Sequence, residues 1–285
     1  LTLPIFSKDS LDIHIETMHV RAQMDQLDAT FEANLHGGLD SIFADSIHLS
    51  FKGDKLFDGN VAIYHPILLD SLYVHANCKH LYFDEVLLQD LLTQLGIKGV
   101  TLPIPLRNLK HIHYVGDIDG RLEDMQLHGA FTTALGSMSV NGEMQIDTTL
   151  QGAHFKGHVS TKGFQIGQLL NHKDLGNIAF DAHIDGSIDS IQFTHCIAEA
   201  TIKQLDYLGY TYHNIHLDGE WNINEINGTL SIHDDNIKLN INGLADWDQE
   251  DTRIDLEIKL NDFSPAALRL SEKNPNLSIG ATTYI

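Results

Sequence analysis

Apolar side chains recur at every second position along most of this chain, and that alternation restricts its fold more than any other feature. In an extended strand successive side chains point to opposite faces, so a period of two makes one face dry and leaves the other wet. Clear runs are Ile13/Ile15, Phe31/Ala33/Leu35, Ile47/Leu49/Phe51, Leu72/Val74/Ala76, Phe180/Ala182/Ile184, Ile237/Leu239/Ile241 and Ile254/Leu256/Ile258/Leu260. One-sided alternation belongs to antiparallel sheets, because parallel strands covered on both faces read as continuous apolar runs. The expected fold class is all-β: an elongated, curled antiparallel sheet with a few short helices.

Punctuation agrees with a meander of short strands. Asp-Gly stands at Asp58-Gly59, Asp119-Gly120, Asp185-Gly186 and Asp218-Gly219, and Asn-Gly at Asn141-Gly142, Asn227-Gly228 and Asn242-Gly243. Such pairs adopt the positive φ of tight hairpins, and some serve as bulges instead. Three helical patches interrupt the strands. Asp84 to Leu95 has Leu87, Leu88, Leu91, Leu92 and Leu95 at helical spacing, with Gly96 to end it; a single turn is expected around Gln168-Leu169-Leu170; Ser264-Pro265 opens a third patch that presents Leu268. Each closely follows a phenylalanine: Phe83, Phe164 and Phe263.

A strand-turn pattern also recurs: apolar, any, Gly, any, apolar, two polar, apolar. It occurs at Leu35–Ile42, Ile118–Met125 and Ile184–Ile191. The chain therefore reads as one continuous elongated body over 1–285 with approximate repeats 30–100, 101–175 and 176–275. Units that each expose an apolar sheet face gain stability by stacking edge to edge.

Composition narrows the partners. With 39 acidic against 18 basic residues the formal charge is -21, which repels polyanions and argues against nucleic acid and acidic membrane surfaces. No apolar run approaches the roughly 18 residues a transmembrane helix needs. The start Leu1-Thr2-Leu3-Pro4 is neither an initiator Met nor a signal peptide, so the chain reads as a segment of a larger protein. Cys78 and Cys196 are the only cysteines; two packed free thiols are expected, with a bridge between them left open.

Catalytic signatures are absent: no G-x-S-x-G, P-loop, G-x-G-x-x-G or H-E-x-x-H occurs, and no enzyme activity or cofactor is expected. Many of the 18 histidines sit between apolar neighbours, as His14, His48, His183 and His216 do, which places them on the wet face. His111 and His113, with Asp117 nearby, form the sharpest metal candidate, but zinc needs further ligands, and outer-face strand residues explain them better. Asp117-Ile118-Asp119-Gly120 starts like a calcium loop but has Gly too early and lacks the closing Glu, so a hairpin is preferred. Asp234-Asp235 are adjacent acids, hence on opposite faces, and read as turn residues rather than a glycosidase pair. Tyr207, Tyr210, Tyr212 and Trp221 are ordinary strand formers before they are sugar platforms.

From Gly163 to Gly243 the chain resembles the TamB/AsmA-like envelope proteins, particularly the Bacteroidetes TamB type. The resembling stretches are Gly163–Leu170, Leu175-Gly176, Phe180–Gly186, Tyr207–Ile215, Leu217-Asp218-Gly219 and Leu230–Gly243; similar texture runs from about Phe31 to Ser271. Members of that family are long periplasmic proteins with an inner-membrane anchor and a β-taco middle whose apolar groove faces inward. The resemblance implies a periplasmic location in a Gram-negative bacterium and a groove that carries phospholipid acyl chains between the membranes or supports outer-membrane biogenesis. An outer-membrane assembly protein would engage through regions this chain lacks. The expected lining is Ile47, Leu49, Phe51, Leu72, Val74, Phe180, Ile184, Ile237, Leu239, Ile241, Ile254, Leu256 and Ile258. A structural or adhesive β-solenoid, its core closed and empty of cargo, is the alternative.

Overall fold

The computed structural model describes residues 5–7, 10–24, 27–68, 71–94, 107–121, 123–146, 152–189, 193–247, 252–270 and 279–284. Over these the chain is all-β and antiparallel, with a few short helices, as the alternation requires. The strands are β1 (Ile5–Ser7), β2 (Ser10–Met24), β3 (Leu27–Gly38), β4 (Ser41–Phe51), β5 (Asp54–Tyr64), β6 (Tyr73–Asp84), β7 (His111–Arg121), β8 (Asp124–Thr133), β9 (Gly136–Ile146), β10 (Ala153–Gln165), β11 (Leu175–Ile188), β12 (Phe193–Tyr207), β13 (Tyr210–Asn222), β14 (Glu225–Asp234), β15 (Ile237–Trp247), β16 (Thr252–Phe263) and β17 (Ile279–Tyr284). Two helices, α1 (Glu85–Gln94) and α2 (Ile166–Leu169), interrupt them. No helix among the described residues is long and apolar enough to cross a membrane.

Contacts divide the chain into two compact units. The first comprises Leu1–Leu102, Lys110–Ala134 and Asn141–Leu150, and the second Pro103–Leu109, Leu135–Val140 and Gln151–Ile285. In the first, β1 to β8 pair antiparallel, each with the next in sequence. In the second, β10 to β17 do the same.

The hairpin role of the Asp-Gly and Asn-Gly pairs is corrected: all seven lie inside strands β5, β7, β9, β11, β13, β14 and β15, and Asp58-Gly59 takes the bulge role at a shift in the β5–β6 register. The tight turns include Lys52-Gly53 and Leu208-Gly209, where both residues have positive φ (52° and 91°; 51° and 75°). That is the conformation a two-residue hairpin needs to match strand twist. Inside the strands glycine has a different task, which is to remove a Cβ where a neighbour presses in. Gly116 has φ 150°, and a Cβ there would stand 2.2 Å from the His128 carbonyl oxygen and 2.9 Å from the Tyr114 hydroxyl. Gly129, its partner on β8, leaves room for the same ring, since a Cβ there would meet Tyr114 Cζ at 2.8 Å. Tyr114 thus folds over two glycines, is almost fully buried, and donates its hydroxyl to the Asp117 carbonyl at 2.7 Å.

In each unit a helical or turn segment packs on part of the apolar face. Asp84 caps α1 by accepting the Leu87 N–H at 2.9 Å, and Leu87 packs with Phe51 and Leu56. Leu95 and Gly96, expected to end this helix, lie outside the described residues, as do Leu122 and Ile191 of the recurring motif. The expected third helix is a turn: Leu268 N–H reaches the Ser264 carbonyl at 3.1 Å and Leu270 N–H the Pro265 carbonyl at 2.8 Å. One turn satisfies few backbone groups by itself, so packing of Leu268 holds it. Leu268 has no exposed surface and joins Tyr212, Ile215 and Ile237.

Replacing Gly116 by Ala is expected to lower stability in urea unfolding by about 1–3 kcal/mol, because the new methyl would stand 2.2 Å from the His128 carbonyl oxygen, backbone of the neighbouring strand. Gly163→Ala, with nothing within 4 Å of the new methyl, should change it by less than about 0.5 kcal/mol.

Candidate functional site

Cross-strand partners share a face of the sheet, so the register converts separate alternating runs into rows. In the second unit one row runs Phe180, Ile202, Ile215, Ile232, Leu239, Leu260, and the next runs Ala182, Ala200, Leu217, Leu230, Ile241, Ile258. A third, Ile184, Ala198, Gly219, Gly228, Gly243, Leu256, is thinned by glycine in its middle, and a fourth, Gly186, Cys196, Trp221, Ile226, Ala245, Ile254, lies beyond it. Phe180, Ile184, Ile237, Leu239, Ile241, Ile254, Leu256 and Ile258 therefore share one apolar surface.

The first unit repeats the arrangement. Leu49 belongs to the row Phe31, Leu49, Phe57, Leu81, Tyr114, Phe131; Ile47 to Ile47, Gly59, Cys78, Gly116, Gly129; and Val74 to Ile42, Ile63, Val74, Gly120, Met125. Phe51 sits at the end of the same face, opposite Ala29 and beneath α1. Leu72 precedes β6 and is half-buried outside the ladder.

Exposure along this face is graded. In the second unit the end near Leu268 is sealed, whereas Ile254 at the other end is 49 % exposed and Trp247 44 %. Ile223 and Ile226 stand exposed beside them. Most residues between are half-buried. The sealed ends, including Leu268, Tyr114 and Ile215, were not among the expected lining, although Leu268 carried a signal as the apolar member of the Ser264-Pro265 patch.

The opposite face is polar and laced with imidazole–carboxylate contacts. His75 Nδ1 lies 2.6 Å from Asp119, His158 Nε2 2.8 Å from Asp181, and His48 Nδ1 3.2 Å from Asp58. The hydrogen bond from His158 holds Asp181 below the usual carboxylate range, and one from Lys55 does the same for Asp58. His48, His183 and His216 are exposed on this face. Asp117 accepts a hydrogen bond from Asn77 at 2.7 Å, while the His113 ring packs 4.5 Å from that of His80. Burial, then the neighbouring His80 and His111, lower the His113 pKa. No three metal-ligating side chains gather among the described residues.

Both cysteines are free. Burial, then the Asp117 charge, pushes the Cys78 thiol up to about 11; burial, then Asp185, raises that of Cys196. Tyr207, Tyr210 and Tyr212 belong to the sealed core, not to an open platform. Asp234 is buried there while Asp235 is exposed. Asp234 accepts from the backbone N–H groups of His213 and Asn236, both at 3.0 Å, and also from the Tyr210 hydroxyl. Burial alone would raise its pKa, but these donors outweigh it and hold the carboxyl below the ordinary 3.8.

Two outcomes follow from the sealed end. Leu268→Ala should cost about 2–5 kcal/mol in chemical unfolding, against less than about 1 kcal/mol for Ile254→Ala. A carboxyl with a depressed folded pKa stabilises fully above its unfolded value and loses that contribution as pH falls through the folded one. Thermal melts of the parent chain should therefore fall below pH 3.8 more steeply than those of Asp234→Asn, which starts lower at neutral pH by about 1–3 kcal/mol. Compared with known proteins, the chain matches no family model, no curated protein and no solved structure.

Proposed function

We propose that the apolar face is a lipid-bearing surface that holds phospholipid acyl chains, and that the chain serves as the groove segment of a periplasm-spanning envelope protein of the TamB/AsmA kind. In that role it passes phospholipid between inner and outer membrane or supports outer-membrane biogenesis. The observation that carries this reading is the set of apolar rows. From β11 to β16 they run across six strands, and beyond the sealed end most of their residues are only half-buried.

Physically, each methylene moved from water onto such a surface gains roughly 0.8 kcal/mol. Rows made mostly of Leu, Ile, Ala and Gly offer an acyl chain similar contacts at successive strands, which favours sliding over fixed binding. Head groups would stay in water at the exposed edge near Trp247 and Ile254. A closed, cargo-free core fits this edge poorly, because Ile223, Ile226 and Ile254 stand exposed there.

Protein purified without detergent should carry phospholipid, read by mass spectrometry of an organic extract, and should accept fluorescent phospholipid from vesicles. Ile254→Asp and Leu256→Asp are expected to reduce bound lipid severalfold while leaving the melting transition within a few degrees, since both sites lie toward the open end. Protein free of lipid that also takes none from vesicles would reject the proposal.

A further inference from the structure

The polar face of the first unit carries a cleft that the lipid reading does not use. Tyr64 on β5 and Tyr73 on β6 are direct cross-strand partners, and Arg121 follows in the same row on β7, because Val74 pairs with Gly120. His65 and Ser71, from the connection between β5 and β6, complete the wall of an open surface cleft of about 470 Å³. The two tyrosine rings meet at 65° with centroids 6.0 Å apart, and each ring is more than a third exposed. Tyr73 is steadied by its hydroxyl, 3.4 Å from Asp119.

His65 stands in the left-handed region with φ 54°, which histidine adopts more readily than most residues with a side chain. Its N–H donates to the Asp40 carbonyl at 2.8 Å, and its own carbonyl accepts from Leu68 N–H at 3.0 Å. These two hydrogen bonds hold the left-handed conformation in place. It fixes where the imidazole leaves the backbone.

We infer that this cleft binds a pyranose ring of a neutral saccharide. Two rings set edge to face form a corner, not a slot, so a flat aromatic ligand could stack on only one of them. A sugar ring instead offers a C–H-rich face to an aromatic ring, whose face carries negative charge density, and hydroxyls around its rim. Ser71 provides a donor and acceptor there, and His65 either role according to tautomer. Neutrality follows from the surroundings: Arg121, the cross-strand partner of Asp124, is one cation in a chain of formal charge -21, which disfavours an anionic ligand. The inference is independent of the lipid proposal, since the cleft lies on the opposite face of the sheet.

The test is saturation-transfer NMR on the whole chain with methyl glucoside, methyl galactoside and the N-acetylglucosamine disaccharide, followed by titration of the best binder. At least one should receive saturation at ring C–H protons. Tyr64→Ala and Tyr73→Ala should weaken it by about tenfold or more, whereas Tyr73→Phe keeps the stacking surface and should stay within about threefold. His65→Gly, which suits the left-handed backbone and preserves the fold, should weaken binding without lowering the melting temperature. Absence of saturation for all three sugars, or transfer unchanged in both Tyr64→Ala and His65→Gly, would overturn the inference. So would binding of inorganic phosphate at Arg121 with no sugar signal.

Discussion

Register holds this protein together. A one-residue slip in any hairpin would turn that strand's leucines and isoleucines to water and its histidines and aspartates inward, so every apolar row depends on the pairing of every strand. The irregularities in the ladder respect this. Between Ala44 and Ile47 the pairing shifts, yet both residues remain in the inward-facing rows, and Ser46 absorbs the extra length at φ 51°. Its N–H is not left unsatisfied: it donates to Asn60 Oδ1 at 2.9 Å. Bulges of this sort add twist without changing which face is dry.

Glycine is the second requirement. A sheet whose dry face carries Tyr114, Phe131 and Phe57 in one row needs space beside them, and Gly59, Gly116 and Gly129 supply it in the adjacent row. Removing Cβ atoms there lets a large ring lie flat across its neighbours and bury itself, where a uniform lining would force it outward. In the second unit the side-by-side Gly219, Gly228 and Gly243 thin the dry face midway between its sealed and exposed ends.

Much of this was legible in the sequence because alternation is a direct record of faces. The runs Ile47/Leu49/Phe51 and Ile237/Leu239/Ile241 lie where a period of two puts them, and the leucine spacing after Asp84 made a helix. The Asp-Gly and Asn-Gly pairs misled because a missing Cβ serves a tight turn and a crowded strand interior alike, and only the partner strand tells them apart. Lys52-Gly53 and Leu208-Gly209 turn the chain without the expected Asn or Asp. The Ser264-Pro265 patch had the right cap but too short a run to propagate a helix. Which end of the face is sealed, and that Tyr64, Tyr73 and Arg121 meet, depends on pairing between residues far apart in sequence, so neither was readable from local pattern.

Pairing of each strand with the next within a unit has a consequence for how such a unit is made and lengthened. Most of the ladder contacts described close short loops, which keeps the entropic barrier to each successive hairpin low. A chain emerging end-first could add strands one at a time to an edge already formed, without waiting for distant partners. By the same logic, inserting a whole hairpin would leave every other pairing intact, so length is a quantity evolution can change in steps of two strands.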